Sequence, residues 1–266
     1  MDGDTLPNAI GTSESYVAGT LIPEINVAIA RRWVMGAVLV YLGSQVAGVA
    51  VGLLVGLLIG DSGAASAALQ GGSGPWWFTL STAIGQWAGF VGGVIFVVRF
   101  TTRQRALPSI GLSFRLIDLA GIAIGLVAQF ALSGLTTLLF GQTHTNTTKW
   151  TAGFSGGGLT VICLCLIVVV PVVEESLFRG LLGRGLLSMA RPSRAYQVWW
   201  LVAVALADGL LFGIVHGQMH LLLALALFGA LLQLLSMRTG RLGMGVFAHA
   251  AFNATAVLPI LLAGHA

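Results

Sequence analysis

Apolar residues occur along this chain in long blocks separated by short polar interruptions. The blocks run at about Trp33–Ile59, Trp76–Val98, Leu116–Phe140, Leu159–Val173, Trp199–Val215, Leu221–Met237 and Met244–Leu262. A helix needs roughly 20 apolar residues to cross a bilayer, so the pattern predicts seven spans. The fourth can continue as far as Met189, because Glu174 to Ser188 keeps helix-forming leucines and contains no proline. The opening stretch, Met1 to Val27, is polar. It carries Asp2, Asp4, Glu14 and Glu24 and has no basic n-region, so it does not read as a cleavable signal. The longest connection, Gly60–Pro75, is rich in Gly, Ser and Ala. No segment outside the blocks is large enough to fold alone. The expected organisation is a polar N-terminus (1–30) followed by one transmembrane domain (31–266). The fold class is all-α, a polytopic transmembrane helical bundle.

Composition supports that class. Only 8% of residues are charged and 56% are hydrophobic, against roughly 25% charged in soluble domains, and mean hydropathy is +0.93. The 13 basic residues are scattered, without a run or aromatic interleaving, which argues against a nucleic-acid partner. They fix an orientation instead. Arg31 and Arg32 precede the first block, and Arg99, Arg103, Arg105 and Arg115 separate the second from the third. Arg179, Arg184, Arg191 and Arg194 follow the fourth, and Arg238 and Arg241 precede the seventh. Lys149 alone falls on the other side. By the positive-inside bias the protein is expected in the cell membrane with a cytoplasmic N-terminus and an external C-terminus. Trp76, Trp77, Trp150, Trp199 and Trp200 stand at block ends, the interfacial position that indole rings favour. Cys163 and Cys165 lie two apart in an apolar block and point in different directions, so they read as filler rather than a disulfide.

Charge near the bilayer centre is costly, roughly 2.5–3.5 kcal/mol per group on insertion scales. Ionisable residues within blocks therefore mark candidate chemistry. They concentrate in the second half: Glu174, Glu175, Arg179, Asp208, His216, His220 and His249, with Asn253 beside them. The first three spans hold almost none apart from Asp118 at an edge, and read as scaffold. Glu175 and Arg179 are four apart and share a helix face, as do Phe212 and His216, and His249 and Asn253. Glu174 lies about 100° around the helix from Glu175 and has no cation partner on its own helix. Each pair alone is an ordinary packing motif. Their occurrence in this order on three apolar helices is not.

The order EExxxR, FxxxH, HxxxN resembles the CAAX-protease and bacteriocin-processing family (CPBP) of intramembrane endopeptidases, relatives of the eukaryotic CAAX prenyl endopeptidase. The matching residues are Glu174-Glu175-Ser-Leu-Phe-Arg179, Phe212-Gly-Ile-Val-His216 and His249-Ala-Ala-Phe-Asn253, within about 159–256. The eukaryotic enzymes have eight spans, one more than the blocks here, so eight is the alternative count. The resemblance implies that Glu174 and His216 hold and activate a water and that His249 and Asn253 stabilise the oxyanion. It further implies that Glu175 and Arg179 orient the site and that Phe212 shapes it. The implied partner is a membrane-associated peptide or lipid-anchored protein within the lipid bilayer. Metal dependence stays open. If a metal takes part, Glu174, His216 and His249 would form an open Zn2+ site; otherwise an activated water is the only agent. No HExxH is present.

Asp208, two turns before His216, either sets that histidine's tautomer or makes a contact between helices. His220 reads as a span-end histidine. Gly153-Phe154-Ser155-Gly156 matches the GxSG of rhomboid-type serine proteases, but in a Gly-rich loop that produces such a match easily. A non-enzymatic immunity or scaffold protein is the alternative from another class. One geometric tension arises: His216 comes 22 residues after Arg194, near the external face of a straight helix, whereas Glu174 falls mid-helix. A loop reaching to about Trp199, a tilt or a water-filled cavity would reconcile them.

Overall fold

The computed structural model describes residues 16–63, 66, 75–141, 151 and 153–263. Asp2, Asp4, Glu14, Lys149 and Trp150 lie outside the described residues. Seven helices are long and apolar enough to cross a membrane: α1 (Val27–Leu58), α2 (Trp76–Thr102), α3 (Leu116–Phe140), α4 (Gly156–Ser188), α5 (Gln197–Val215), α6 (Met219–Thr239) and α7 (Gly243–Ala263). The protein is a multi-pass helical membrane protein. Tyr16 and Pro23 form an isolated antiparallel bridge.

Helix ends follow local capping rather than hydropathy alone. Helix α1 starts six residues before the apolar block, because the Asn26 side chain accepts from the Ala28 N–H and caps it. Arg31 and Arg32 therefore lie on α1 itself. Helix α4 extends through Ser188, as its leucines allow, but not as a uniform α-helix. It widens into π-helix at Cys165–Val169, just before Pro171, and again at Ser176–Gly183, just after Glu174 and Glu175. Proline lacks an N–H for the helical ladder, and such widened turns are frequent at functional sites. This part of α4 is also its most buried stretch, from Glu175 through Gly185.

Small residues bring the other helices close enough to surround α4. A Cβ on Gly48 would lie 2.8 Å from the Thr82 carbonyl, and one on Gly93 2.7 Å from Val40, so α1 and α2 are in near-backbone contact. Gly121 and Gly125 of α3 face the carbonyls of Met244 and Ala248 in α7 in the same way. Gly209 of α5 faces the carbonyl of Ala226 and the amide of Ala230 in α6. With no hydrophobic drive between helices in lipid, this packing is what holds such pairs together. Gly209→Ala should cost about 1–3 kcal/mol through overpacking, and its thermal unfolding in detergent should move to lower temperature; an unchanged midpoint would contradict the α5–α6 contact.

Arg184, Arg191 and Arg241 gather at one end of the bundle. Arg241 pairs with Asp118 at 2.8 Å, Arg191 with Glu24 at 3.1 Å, and Arg184 donates to the Gly240 carbonyl at 2.7 Å. Asp118 is thus a fully buried ionic partner at the start of α3 rather than a bare span edge. Residues 17–25 fold onto the same end. Val17, Ile22 and Ile25 are buried, and the Leu21 amide donates to the Met237 carbonyl. Cys163 is buried core, and both cysteines are free.

Candidate active site

The three motifs meet in space. Glu175 accepts from Arg179 Nη1 at 3.0 Å along α4, and both side chains are fully buried. Arg179 Nε also lies 3.2 Å from Asp208 Oδ2 of α5, and Nη2 donates to the Gly229 carbonyl of α6 at 2.8 Å. One guanidinium therefore neutralises two buried carboxylates and ties three helices. Its carbon sits 4.5 Å from the Phe212 ring centroid, in cation–π range. This settles the two readings of Asp208. It serves Arg179 and does not reach His216, whose Nδ1 is taken by the Phe212 carbonyl at 2.6 Å.

That short contact fixes the histidine's state. A carbonyl only accepts, so Nδ1–H of His216 donates to it, and in the neutral ring Nε2 keeps its lone pair. His216 caps the end of α5 and lines a cavity of about 410 Å³ together with Glu174, Asn253 and Tyr41. The depth tension is resolved here. Helix α5 begins at Gln197, and its end opens into this cavity, which reaches Glu174 midway along α4.

His249 of α7 stands between the paired glutamates. Its Nδ1 is 3.2 Å from Glu175 Oε1, while Nε2 is 3.7 Å from Glu174 Oε2, too long for a hydrogen bond. Aromatic rings clamp it edge-on, Phe212 at 5.6 Å and Phe228 at 5.7 Å. Asn253, one turn on, donates from Nδ2 to the Leu166 carbonyl at 3.0 Å. That carbonyl belongs to the first widened turn of α4. Asn253 is thus anchored to the neighbouring helix while still lining the cavity. A second cavity of about 210 Å³ lies across α7, lined by His249, Phe228 and the α3 residues Gln129 and Thr136. The two cavities share His216, Gln218, Asn253 and Ala256.

Glu174 is the one acid of the group open to a cavity, with its side chain 22% exposed against 1% for Glu175. Among the described residues no three His, Cys, Asp or Glu side chains come together as a metal-binding group. Each histidine has Nδ1 against a protein oxygen, an arrangement that serves a water-activating histidine and a metal-ligating one alike, and no step below runs through a metal.

Residues 156–255 match the family model described as type II CAAX prenyl endopeptidase Rce1-like. This segment is Rce1-like. It runs from the start of α4 into α7 and contains Glu174, Glu175, Arg179, Phe212, His216, His249 and Asn253. The family is one of proteases. No curated protein and no solved structure matches the chain.

Outside the Rce1-like segment, α1 and α2 are more than scaffold. Tyr41 and Gln45 of α1, with Thr82 and Gln86 of α2, line the Glu174 cavity. Gln86 Nε2 donates to Gln45 Oε1 at 2.9 Å, and Tyr41 Oη lies 3.4 Å from the Val215 carbonyl beside His216. Each pair is four apart on its helix, so a polar stripe was present in the sequence. Being neutral, these groups do not stand out by the insertion cost that marks the charged ones. Phe228 was missed as well; it stacks on Phe252 at 4.0 Å and borders His249. Ser155 is an exposed residue before the first turn of α4 and lines neither cavity. His220 lies in the 3-10 turn that opens α6.

Proposed function

We propose that this protein is an intramembrane endopeptidase that hydrolyses a peptide bond with a water activated by Glu174 and His216. The supporting observation is that a cavity-exposed carboxylate and an imidazole with a free Nε2 border one space. Every other acid nearby is committed to Arg179 or His249. Glu174 takes the proton from water as it attacks the carbonyl carbon, and His216 Nε2 holds that water by accepting its second hydrogen. The oxyanion that forms receives hydrogen bonds from Asn253 Nδ2 and His249 Nε2–H. Glu175, holding Nδ1–H, supports the imidazolium that this donation requires. The proton on Glu174 then passes to the departing amine.

Glu175 and Arg179 act as positioning residues, and Phe212 shapes the wall between the two histidines. The substrate is a membrane-associated or lipid-anchored peptide, since the cavity lies among spanning helices. The arginine-rich end faces the cytoplasm by the positive-inside bias, which puts the N-terminus inside the cell and the C-terminus outside.

Reconstituting the purified chain in liposomes with a set of lipid-anchored quenched peptides tests this reading. Cleavage by wild type and none by Glu174→Gln is the expected result. Cleavage surviving in Glu174→Gln would remove it. Ser155→Ala should cleave at the wild-type rate; its loss of activity would point to a serine nucleophile instead. Binding of a peptide without any cleavage by the wild-type protein would favour an immunity or scaffold role.

A further inference from the structure

A third cavity, of about 530 Å³, opens at the arginine-rich end of the bundle, away from Glu174. Its walls are Pro23 and Ile25 ahead of α1, Arg103 and Arg105 after α2, Ser109 of the short helix Ala106–Ser109, and Arg184 of α4. Three arginines line it and no acid does. Among the described residues none of the three enters an ion pair.

Arg184 is the informative member. It is 4% exposed, its Nη1 and Nη2 donate to the carbonyls of Ser109 and Gly240, and its Nε is buried without a partner. A buried guanidinium satisfied only by neutral carbonyls keeps most of its desolvation cost, which an anion would offset. Gly111 makes room for it, because a Cβ there would collide with Nη2. Arg103 adds a second sign. It is the one non-glycine residue at positive φ among those described, at 59°, where it ends α2. Glycine or asparagine ends helices in this way at lower cost, so an arginine here carries a backbone strain that those residues would not. Helix α2 ends at Thr102, so Arg103 and Arg105 stand just beyond the apolar span, the place where a spanning helix meets the headgroups.

We propose that this cavity binds a phosphate group carried by an anionic lipid of the adjoining leaflet. Guanidinium forks match phosphate oxygens in pairs. A bound phosphate would link the α2–α3 connection to α4 and, through Arg184 and Gly240, to the α6–α7 turn.

The test uses the full-length purified chain in neutral detergent, titrated separately with short-chain phosphatidylglycerol, short-chain phosphatidylcholine and inorganic phosphate, with binding read by native mass spectrometry. Wild type should prefer phosphatidylglycerol over phosphatidylcholine by at least about tenfold, and added salt should weaken that preference. Arg103→Asn with Arg105→Gln should abolish it; asparagine tolerates the positive φ, so the fold is kept. Inorganic phosphate binding as tightly as the lipid, and lost in the same variant, would support the phosphate site and move its source to solution. No preference in wild type, or one unchanged in the double variant, would overturn the proposal. So would a preference that emerges only after Asp2→Asn, Asp4→Asn and Glu14→Gln, since the acidic N-terminus would then occupy the cavity.

Discussion

Replacing Glu174 with alanine or glutamine is expected to lower peptide-bond cleavage by about 10²–10⁴-fold, the range for removing a general base. The protein should accumulate and unfold as wild type does. The two readouts separate because Glu174 borders a cavity and has no hydrogen-bonded partner among the described residues. Its nearest ionic neighbour, His249, lies 3.7 Å away and keeps its closer contact with Glu175. Glutamine preserves shape and removes the basic oxygen, so it should be as inactive as alanine. Asn253→Ala should cost about 10²–10³-fold, as loss of one oxyanion donor does. Rates measured on a reconstituted peptide substrate, beside thermal unfolding in detergent, check both. A Glu174→Gln protein with near wild-type turnover would contradict the assigned role.

Arg179→Ala is expected to be the most destabilising substitution of the site, by about 3–5 kcal/mol. It would leave Glu175 and Asp208, both fully buried, without their cation, and would remove the tie from Arg179 to the Gly229 carbonyl of α6. The effect arises from the unpaired acids rather than the missing bulk, and a double-mutant cycle can show this. Adding Asp208→Asn to Arg179→Ala removes one stranded charge and should restore part of the stability, with a coupling energy of about 0.5–3 kcal/mol. Activity should not return, because Glu175 and with it His249 remain unpositioned. Denaturant or thermal unfolding of the four proteins in one detergent provides the cycle. Strict additivity would mean that Arg179 and Asp208 do not act as a pair.

Much of the bundle is legible in the sequence because lipid imposes a simple rule. A spanning helix must be apolar over its whole length, so seven apolar blocks become seven helices. Their ends are less legible. Asn26 starts α1 by a single side-chain hydrogen bond that a hydropathy average does not register. The widened turns of α4 are likewise invisible to an α-helical period, although Pro171 marks where the ladder must adjust.

The meeting of Glu174, Glu175 and His249 was legible through motif order, and the Glu175–Arg179 pair through spacing alone. What joins helices distant in sequence was not. Nothing in the residues around Asp208 names Arg179 as its partner, because His216 follows two turns on along the same helix whereas Arg179 comes from another helix. Tyr41, Gln45 and Gln86 are illegible for a different reason. Neutral polar groups in a span cost little compared with charges, so their positions stand out only once α1 and α2 are seen to border the site.

The central claim is that this membrane protein cuts peptide bonds through Glu174. The most direct measurement compares new protein termini in cells that hold equal membrane amounts of the wild-type protein or of Glu174→Ala. Termini that arise only with wild type, from membrane-associated or lipid-anchored proteins, are the predicted result. Identical termini in the two, with both proteins folded and a cleavable lipid-anchored peptide supplied, would contradict proteolysis and favour a binding role.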